Sequence, residues 1–280
     1  AAAGGSGGEH PVLGHKMILP KSKDVRFESV MMPNWPHFLD DHRLFGTVVC
    51  PGASHIASML AAGENVFGDG GYVLEDVFFP QALVLPDGVR MNYQLALLPE
   101  EKGGYFTQSM SYSAEDAPAG TDYWATHATG RLRKATDEER KPEPLKLDSL
   151  ENFRSLCNRE IRGTDFYDMF WKAGYTLGES FRWIDHLWSR DWEGVCRMRV
   201  PEVSEKLADY VLHPGLIDSC LQALAAFGPE NKLGIVSAGS TMRIPFHAAR
   251  MQVFRKPSPG TTIWMYGKLD DPGDGRDRIS

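Results

Sequence analysis

The sequence predicts an α+β protein in which one unit is used twice: a long buried helix followed by antiparallel strands that wrap around it. Three observations carry this. Proline opens an apolar helical segment in each half, at 51–62 and 214–227; a β-patterned segment follows each, at 72–85 and 241–255; and a Pro/Gly turn leads to a further strand, at 91–98 and 261–269. The first half continues through two more strands, at 105–113 and 123–133, whereas the second stops at Ser280. The repeat therefore predicts a second unit truncated by about two strands.

Taken in order, residues 1–8 are Ala, Gly and Ser only, without the charged start and apolar stretch of a signal peptide, and read as a scar or linker outside the fold. The first unit is expected over 9–134. Its helix falls in the longest run free of Asp, Glu, Lys and Arg, Val48 to Gly63. That run is shorter than the roughly 18 apolar residues that suggest a membrane span, and it contains Pro51 and Gly52, so it reads as a buried core helix. The strands 72–85 and 91–98 are rich in Val, Leu, Phe and Tyr and flank Pro86-Asp87-Gly88, a turn signal. The segment 135–149 is charged, carries Pro142 and Pro144, and lacks apolar periodicity, which predicts an exposed linker. The second unit, 150–280, begins with helices near 149–158 and 164–173 and strands near 183–188 and 194–200. Its long helix is marked by Ile217, Cys220, Leu221 and Leu224 at i, i+3, i+4 and i+7, one apolar face. Asp218 and Gln222 lie four apart beside that face.

Composition excludes several functions. With 30 Lys+Arg against 37 Asp+Glu, a net charge of -7, and no basic run longer than Arg131 to Lys134, the chain is not built to neutralise nucleic-acid phosphates. Cys50, Cys157, Cys196 and Cys220 never approach C-x-x-C spacing, so neither a zinc knuckle nor a redox motif is expected, and a reducing cytoplasm is the simplest location. No G-x-G-x-x-G follows a strand, and Gly52-Ala53-Ser54-His55 is not a G-x-S-x-G elbow. His37 and His42 have no carboxylate pattern beside them that completes a metal site.

Two segments carry the chemistry. In Asp41 to Gly52, His42 precedes Gly46 and then Pro51-Gly52 at the helix start. Proline suits a first helical turn, and the N–H groups of Gly52 and its neighbours are donors at the positive end of the helix dipole, where an oxyanion could be held. The alternative is a loop histidine before an ordinary helix start. In His213 to Gln222, Asp218 is costly to bury unless protonated or hydrogen-bonded, and Gln222 one turn on can supply the bond. Here the alternative is a helix-entry carboxylate favoured by the dipole.

Together these segments resemble the dehydratase domains of modular polyketide synthases. His42, Gly46 and Pro51 reproduce that family's H-x-x-x-G-x-x-x-x-P motif, and His213, Pro214, Asp218 and Gln222 its H-P-x-x-x-D-x-x-x-Q motif. His10-Pro11-x-x-Gly14 and Trp124 to Gly130 extend the resemblance over nearly the whole chain. The family pattern Y-G-P-x-F survives only as Leu177-Gly178-Glu179-Ser180-Phe181, which keeps Gly178 and Phe181 but loses the Tyr and the Pro. Tyr175, two residues upstream, could supply the missing hydroxyl or simply pack. His55 stands where the family often has Tyr and is expected in the core or tunnel wall.

The resemblance implies a double hot-dog fold and dehydration of a 3-hydroxyacyl thioester to an α,β-unsaturated thioester. His42 would be the base and Asp218 the acid, supported by Gly46, Pro51, Gly52, Tyr175, Gly178, His213 and Gln222. It implies no cofactor beyond the phosphopantetheine of an acyl carrier protein, neighbouring synthase domains as partners, a homodimer, and neither membrane nor nucleic-acid binding. Arg131, Arg133, Lys134 and Arg154 are the candidates for a basic patch that receives the carrier protein. Trp171, Tyr175, Phe181, Trp183, Trp188 and Trp192 are expected in the core and tunnel lining. The rival readings are a hot-dog thioesterase, a catalytically silent acyl-binding domain and a double-bond-shifting relative.

Overall fold

The helix that follows Pro51 is enclosed on every side, and this sets the layout of the first half. A computed structural model describes residues 10–113, 123–143, 149–203, 206–227, 246–258 and 260–269. In chain order the first half contains β1 (His15–Lys16), β2 (Val25–Met31), β3 (His42–Leu44), β4 (Thr47–Cys50), α1 (Gly52–Phe67), β5 (Tyr72–Phe78), β6 (Leu83–Leu85), β7 (Met91–Pro99), β8 (Tyr105–Ser113) and β9 (Ala125–Lys134). Every residue of α1 from Ala53 to Gly63 is buried. These residues are mostly Ala, Ser and aliphatic side chains, so a sheet can curl closely around them. Burial of their polar atoms is offset by local bonds: Ser58 donates to the Ser54 carbonyl at 2.9 Å, and Tyr72 donates to that of Leu60 at 2.7 Å.

The second half contains α2 (Leu150–Ser155), β10 (Arg159–Arg162), α3 (Gly163–Lys172), β11 (Tyr175–Leu177), β12 (Ile184–Arg190), β13 (Glu193–Met198), α4 (Pro214–Leu224), β14 (His247–Met251) and β15 (Ile263–Lys268). Short 3-10 turns lie at His37–Asp41, Glu179–Phe181 and Leu207–Asp209. Three antiparallel sheets result. The largest has the order β1-β2-β7-β8-β9-β5-β14 and wraps α1; a second, β10-β12-β13-β15, packs with α3 and α4; a third, β11-β3-β4-β6, joins the halves. Two main clusters form the core, one around α1 with Phe27, Leu74 and Leu95, the other around Phe166, Phe181, Leu187 and Phe227.

Three expectations need correction. The segment 72–85 is two strands rather than one: the chain leaves the large sheet after Phe78, and β6 joins β4 in the small sheet. Pro80, which has no N–H to give to a ladder, lies in the break. The strand within 241–255 begins at His247 and pairs with β5, Ala248 opposite Val77 and Arg250 opposite Glu75, so it completes the first sheet instead of wrapping the second helix. In the described part of the segment read as a linker, Glu139 receives both Arg133, at 2.7 Å, and Arg250, at 3.1 Å. Finally, α4 ends at Leu224, three residues before the helix end read from the sequence. Residues 1–8 and 270–280, on which the expected scar and the expected missing strands depend, lie outside the described residues.

Leu60, fully buried in the middle of α1, tests how tightly the first sheet grips its helix. Leu60→Ala is expected to lower stability by about 2–5 kcal/mol, read as a reduced urea midpoint at unchanged slope.

Candidate active site

His42 is placed by a hairpin. β3 and β4 are joined by Phe45 and Gly46, with φ of 50° and 83°, a two-residue turn whose twist suits antiparallel strands. Gly46 is thus explained by backbone geometry, since a side chain there would meet no other atom within 4 Å. The hairpin brings the carbonyl of Val49 to 2.7 Å from Nδ1 of the buried His42 ring. A carbonyl can only accept, so Nδ1 carries the hydrogen and Nε2 is left with a free lone pair. The ring packs against Phe181 at 5.0 Å between centroids.

Pro51 sits one position earlier than expected. It is the extended N-cap residue of α1, with φ -68° and ψ 150°, and the helix itself opens at Gly52. No side chain caps this end, so the first-turn amides are not consumed by a capping group. Gly52 lies beside Phe79, where an added Cβ would approach the ring to 3.2 Å.

Asp218 is placed by α4. Pro214 opens the helix, and His213 caps it: its Nδ1 accepts the N–H of Gly215 at 3.1 Å. Gly215 is required by packing, because a Cβ would lie 1.7 Å from the Ser180 carbonyl oxygen. Gln222 Nε2 donates to Asp218 Oδ2 at 2.6 Å and to the Phe181 carbonyl at 3.3 Å. Burial pushes the Asp218 carboxyl above its ordinary 3.8; charge on His42 and the Gln222 bond pull the other way and are outweighed. Phe181 joins the two sequence segments, far apart in the chain: its ring packs on His42 and its carbonyl receives Gln222, which also holds Asp218.

The meeting is made by residues 177–181. In the pairing of β11 with β3, Leu177 stands opposite His42. Asp41 then takes two amides from the following turn: its carbonyl accepts from Gly178 at 2.8 Å and its carboxylate from Ser180 at 2.9 Å. Gly178 is explained by this contact, since a Cβ would fall 2.0 Å from Asp41 Oδ1. Ser219, next to Asp218, donates to the Phe181 carbonyl at 3.1 Å. The functional reading of the sequence missed Asp41, Ser180 and Ser219. Their only local signal was adjacency to the motif residues.

Other expectations resolve differently. Tyr175 lies on β11 opposite Leu44 with its ring against Phe170, and its buried hydroxyl has no hydrogen-bond partner among the described residues. His55 is a core residue bonded to Tyr93 at 3.0 Å and Ser109 at 3.1 Å, and burial holds its pKa down at about 3. Phe181, Trp183 and Trp188 are buried, whereas Trp171 is 46% exposed and covered by the Arg182 guanidinium. In the proposed basic patch Arg131 pairs with Glu100 at 3.2 Å and Arg133 with Glu75 and Glu139, whereas Arg154 keeps its charge 4.0 Å over the Trp188 ring. Among the described residues no group of three or more His, Cys, Asp or Glu is placed to hold a metal ion, and no helix is long and apolar enough to cross a membrane.

Two helix-and-sheet units with a histidine from one beside a carboxyl from the other define a protein of the double hot-dog class. Comparison with known proteins narrows this. Residues 10–112 match the polyketide synthase dehydratase domain model and residues 148–280 the polyketide synthase dehydratase N-terminal domain model. The dehydratase domain of the CurJ module of curacin polyketide synthase is 31% identical, with a TM-score of 0.79 over 95% of this chain and 86% of that one. The corresponding CurF domain is 25% identical, with a TM-score of 0.78 over 92% and 88%. Polyketide synthase GfsE of Streptomyces halstedii is 29% identical over 80% of this chain, and mycoketide-CoA synthase of Mycobacterium tuberculosis 27% over 81%; the chain spans only 6% and 5% of their lengths. The chain belongs to the polyketide synthase dehydratase domain family.

The raised pKa of Asp218 has a consequence for stability. The folded chain keeps this proton to a higher pH than the unfolded chain does, so the group subtracts stability as pH rises above 3.8. Asp218→Asn, which retains an acceptor for Gln222, is expected to melt at a higher temperature than the native protein at pH 7. Calorimetry should show this gain shrinking as the pH is lowered toward 4.

Proposed function

We propose that the chain removes water from a 3-hydroxyacyl thioester carried on the phosphopantetheine of an acyl carrier protein, within a longer multidomain synthase. The observation that carries the mechanism is the Val49 carbonyl on His42 Nδ1, because it fixes the tautomer that leaves Nε2 free to take a proton. The partly buried Asp218 carboxyl, its pKa raised, is suited to hold the complementary proton.

In the reaction His42 Nε2 removes the α-proton, the electrons of that C–H bond form the double bond, and the β-hydroxyl leaves as water with a proton from Asp218. The products are the α,β-unsaturated thioester and water. Turnover ends when the proton on His42 is lost and Asp218 is reprotonated. Negative charge developing on the thioester oxygen requires donors, and the uncapped amides at Gly52 are suited to that part. Gln222 orients Asp218 through Oδ2 and leaves the other oxygen to carry the proton. A base and an acid positioned in this way each contribute about 10²–10⁴ in rate.

Mass spectrometry of a 3-hydroxyacyl carrier protein incubated with the chain should show the loss of one water. His42→Ala and Asp218→Asn should each slow that loss by about 100-fold or more while the proteins stay folded. Release of the free acid in its place would identify a thioesterase, and no change on several substrates would point to a silent acyl-binding domain.

A further inference from the structure

The mechanism uses His42 and Asp218 but does not say what fixes the distance between groups carried by different halves. We propose that Asp41 is a positioning residue: by holding the turn from Gly178 to Phe181, it sets His42 and Asp218 at their working separation. The proposal rests on the dehydration reading above.

Asp41 is bonded covalently to His42 on one side and grips the turn on the other. Its carbonyl and carboxylate take the amides of Gly178 and Ser180, at 2.8 and 2.9 Å. The turn in turn touches both reacting groups. Phe181 presses its ring on His42, and its carbonyl receives Ser219 and Gln222, the second of which also holds Asp218. The Ser180 carbonyl receives the Trp183 indole at 2.9 Å and lies against Gly215 at the start of α4. On its outer side the turn is held by Glu179, which pairs with Arg182 and with Arg199. These four residues thus form a spacer with the base on one face and the mount of the acid on the other. The contact has no slack, since Gly178 has no side chain and none would fit beside Asp41.

Release of the Ser180 amide would let the Phe181 carbonyl move and loosen Gln222, whose bond lowers the Asp218 pKa. The ionisable groups acting on or beside that carboxyl are His42 from β3, Tyr167 from α3 and Cys220 from α4 itself. Asp41 itself is not among them.

The test compares Asp41→Ala, Asp41→Asn and Asp41→Glu by kcat and KM for a 3-hydroxyacyl carrier protein and by carboxyl-carbon NMR titration of Asp218. Asp41→Ala should lower kcat about 10–100-fold, leave KM within about twofold, and move the Asp218 titration to higher pH. Asp41→Asn, which keeps an oxygen in place for the Ser180 amide, should behave as the native protein. Asp41→Glu keeps the charge but pushes it into Gly178 and should fail as the alanine variant does, so these two decide the matter even where Asp41→Ala does not fold. Native kcat and titration in Asp41→Ala, or a working Asp41→Glu beside a failed Asp41→Asn, would overturn the proposal. A native protein that removes no water would overturn the dehydration reading instead, and the Asp218 titration would still judge the role of Asp41.

Discussion

The pairing of β11 with β3 is the constraint on which the site depends. It joins a strand of the second half to the short strand that carries His42, and its register puts Leu177 opposite that histidine. A slip of one residue would turn every side chain of β11 to the other face. Gly178 would then no longer stand beside Asp41, nor Phe181 beside the imidazole. The register is guarded on both sides: Phe45 donates its N–H to the Gly174 carbonyl at 2.8 Å at one end, and Asp41 holds Gly178 and Ser180 at the other. Once β11 is seated, α4 can dock only where Gly215, having no side chain, lets the Ser180 carbonyl approach.

Burial then does two opposed things to the ionisable groups near this seam. It raises the Asp218 carboxyl and so keeps an acid available, while it lowers His213 and His10 to about 4 and keeps them neutral. Neutral His213 is what α4 needs, because a protonated ring could not accept the Gly215 amide at Nδ1. His10 works in the same way, accepting the amides of Val12 and Leu13 at 3.2 and 3.3 Å. Two histidines of the recognisable motifs are therefore backbone caps.

The parts of this molecule that were legible in the sequence are those whose signal is local. The two long helices announced themselves because burial on several sides excludes charge, and His42 to Gly52 and His213 to Gln222 are short enough to be read as single patterns. The segment 72–85 reads as one strand because Val, Leu, Phe and Tyr recur on both sides of Pro80, although a proline there already argues for a break. The partner of β14 was not legible at all: a period of two reports that a strand exists, not which edge it joins. Asp41 was hidden for the same reason, since its acceptor role is defined only by Gly178 and Ser180. Arg131 and Arg133 looked like free charges because the glutamates that neutralise them come from other strands and from the segment read as a linker.

The placement of β14 also gives the fold a history. β5 has β9 on one side from early in synthesis, but its other edge is closed only by residues 247–251. At translation speeds of about 5–20 residues per second, that edge stays open for on the order of ten seconds or more while the whole second half is made. An open edge of this kind invites pairing with any extended chain nearby. Two charges on β5, Glu75 and Asp76, make it a poorer template during that interval. The same charges serve the finished sheet, in which Asp76 lies 3.4 Å from His247 of the closing strand.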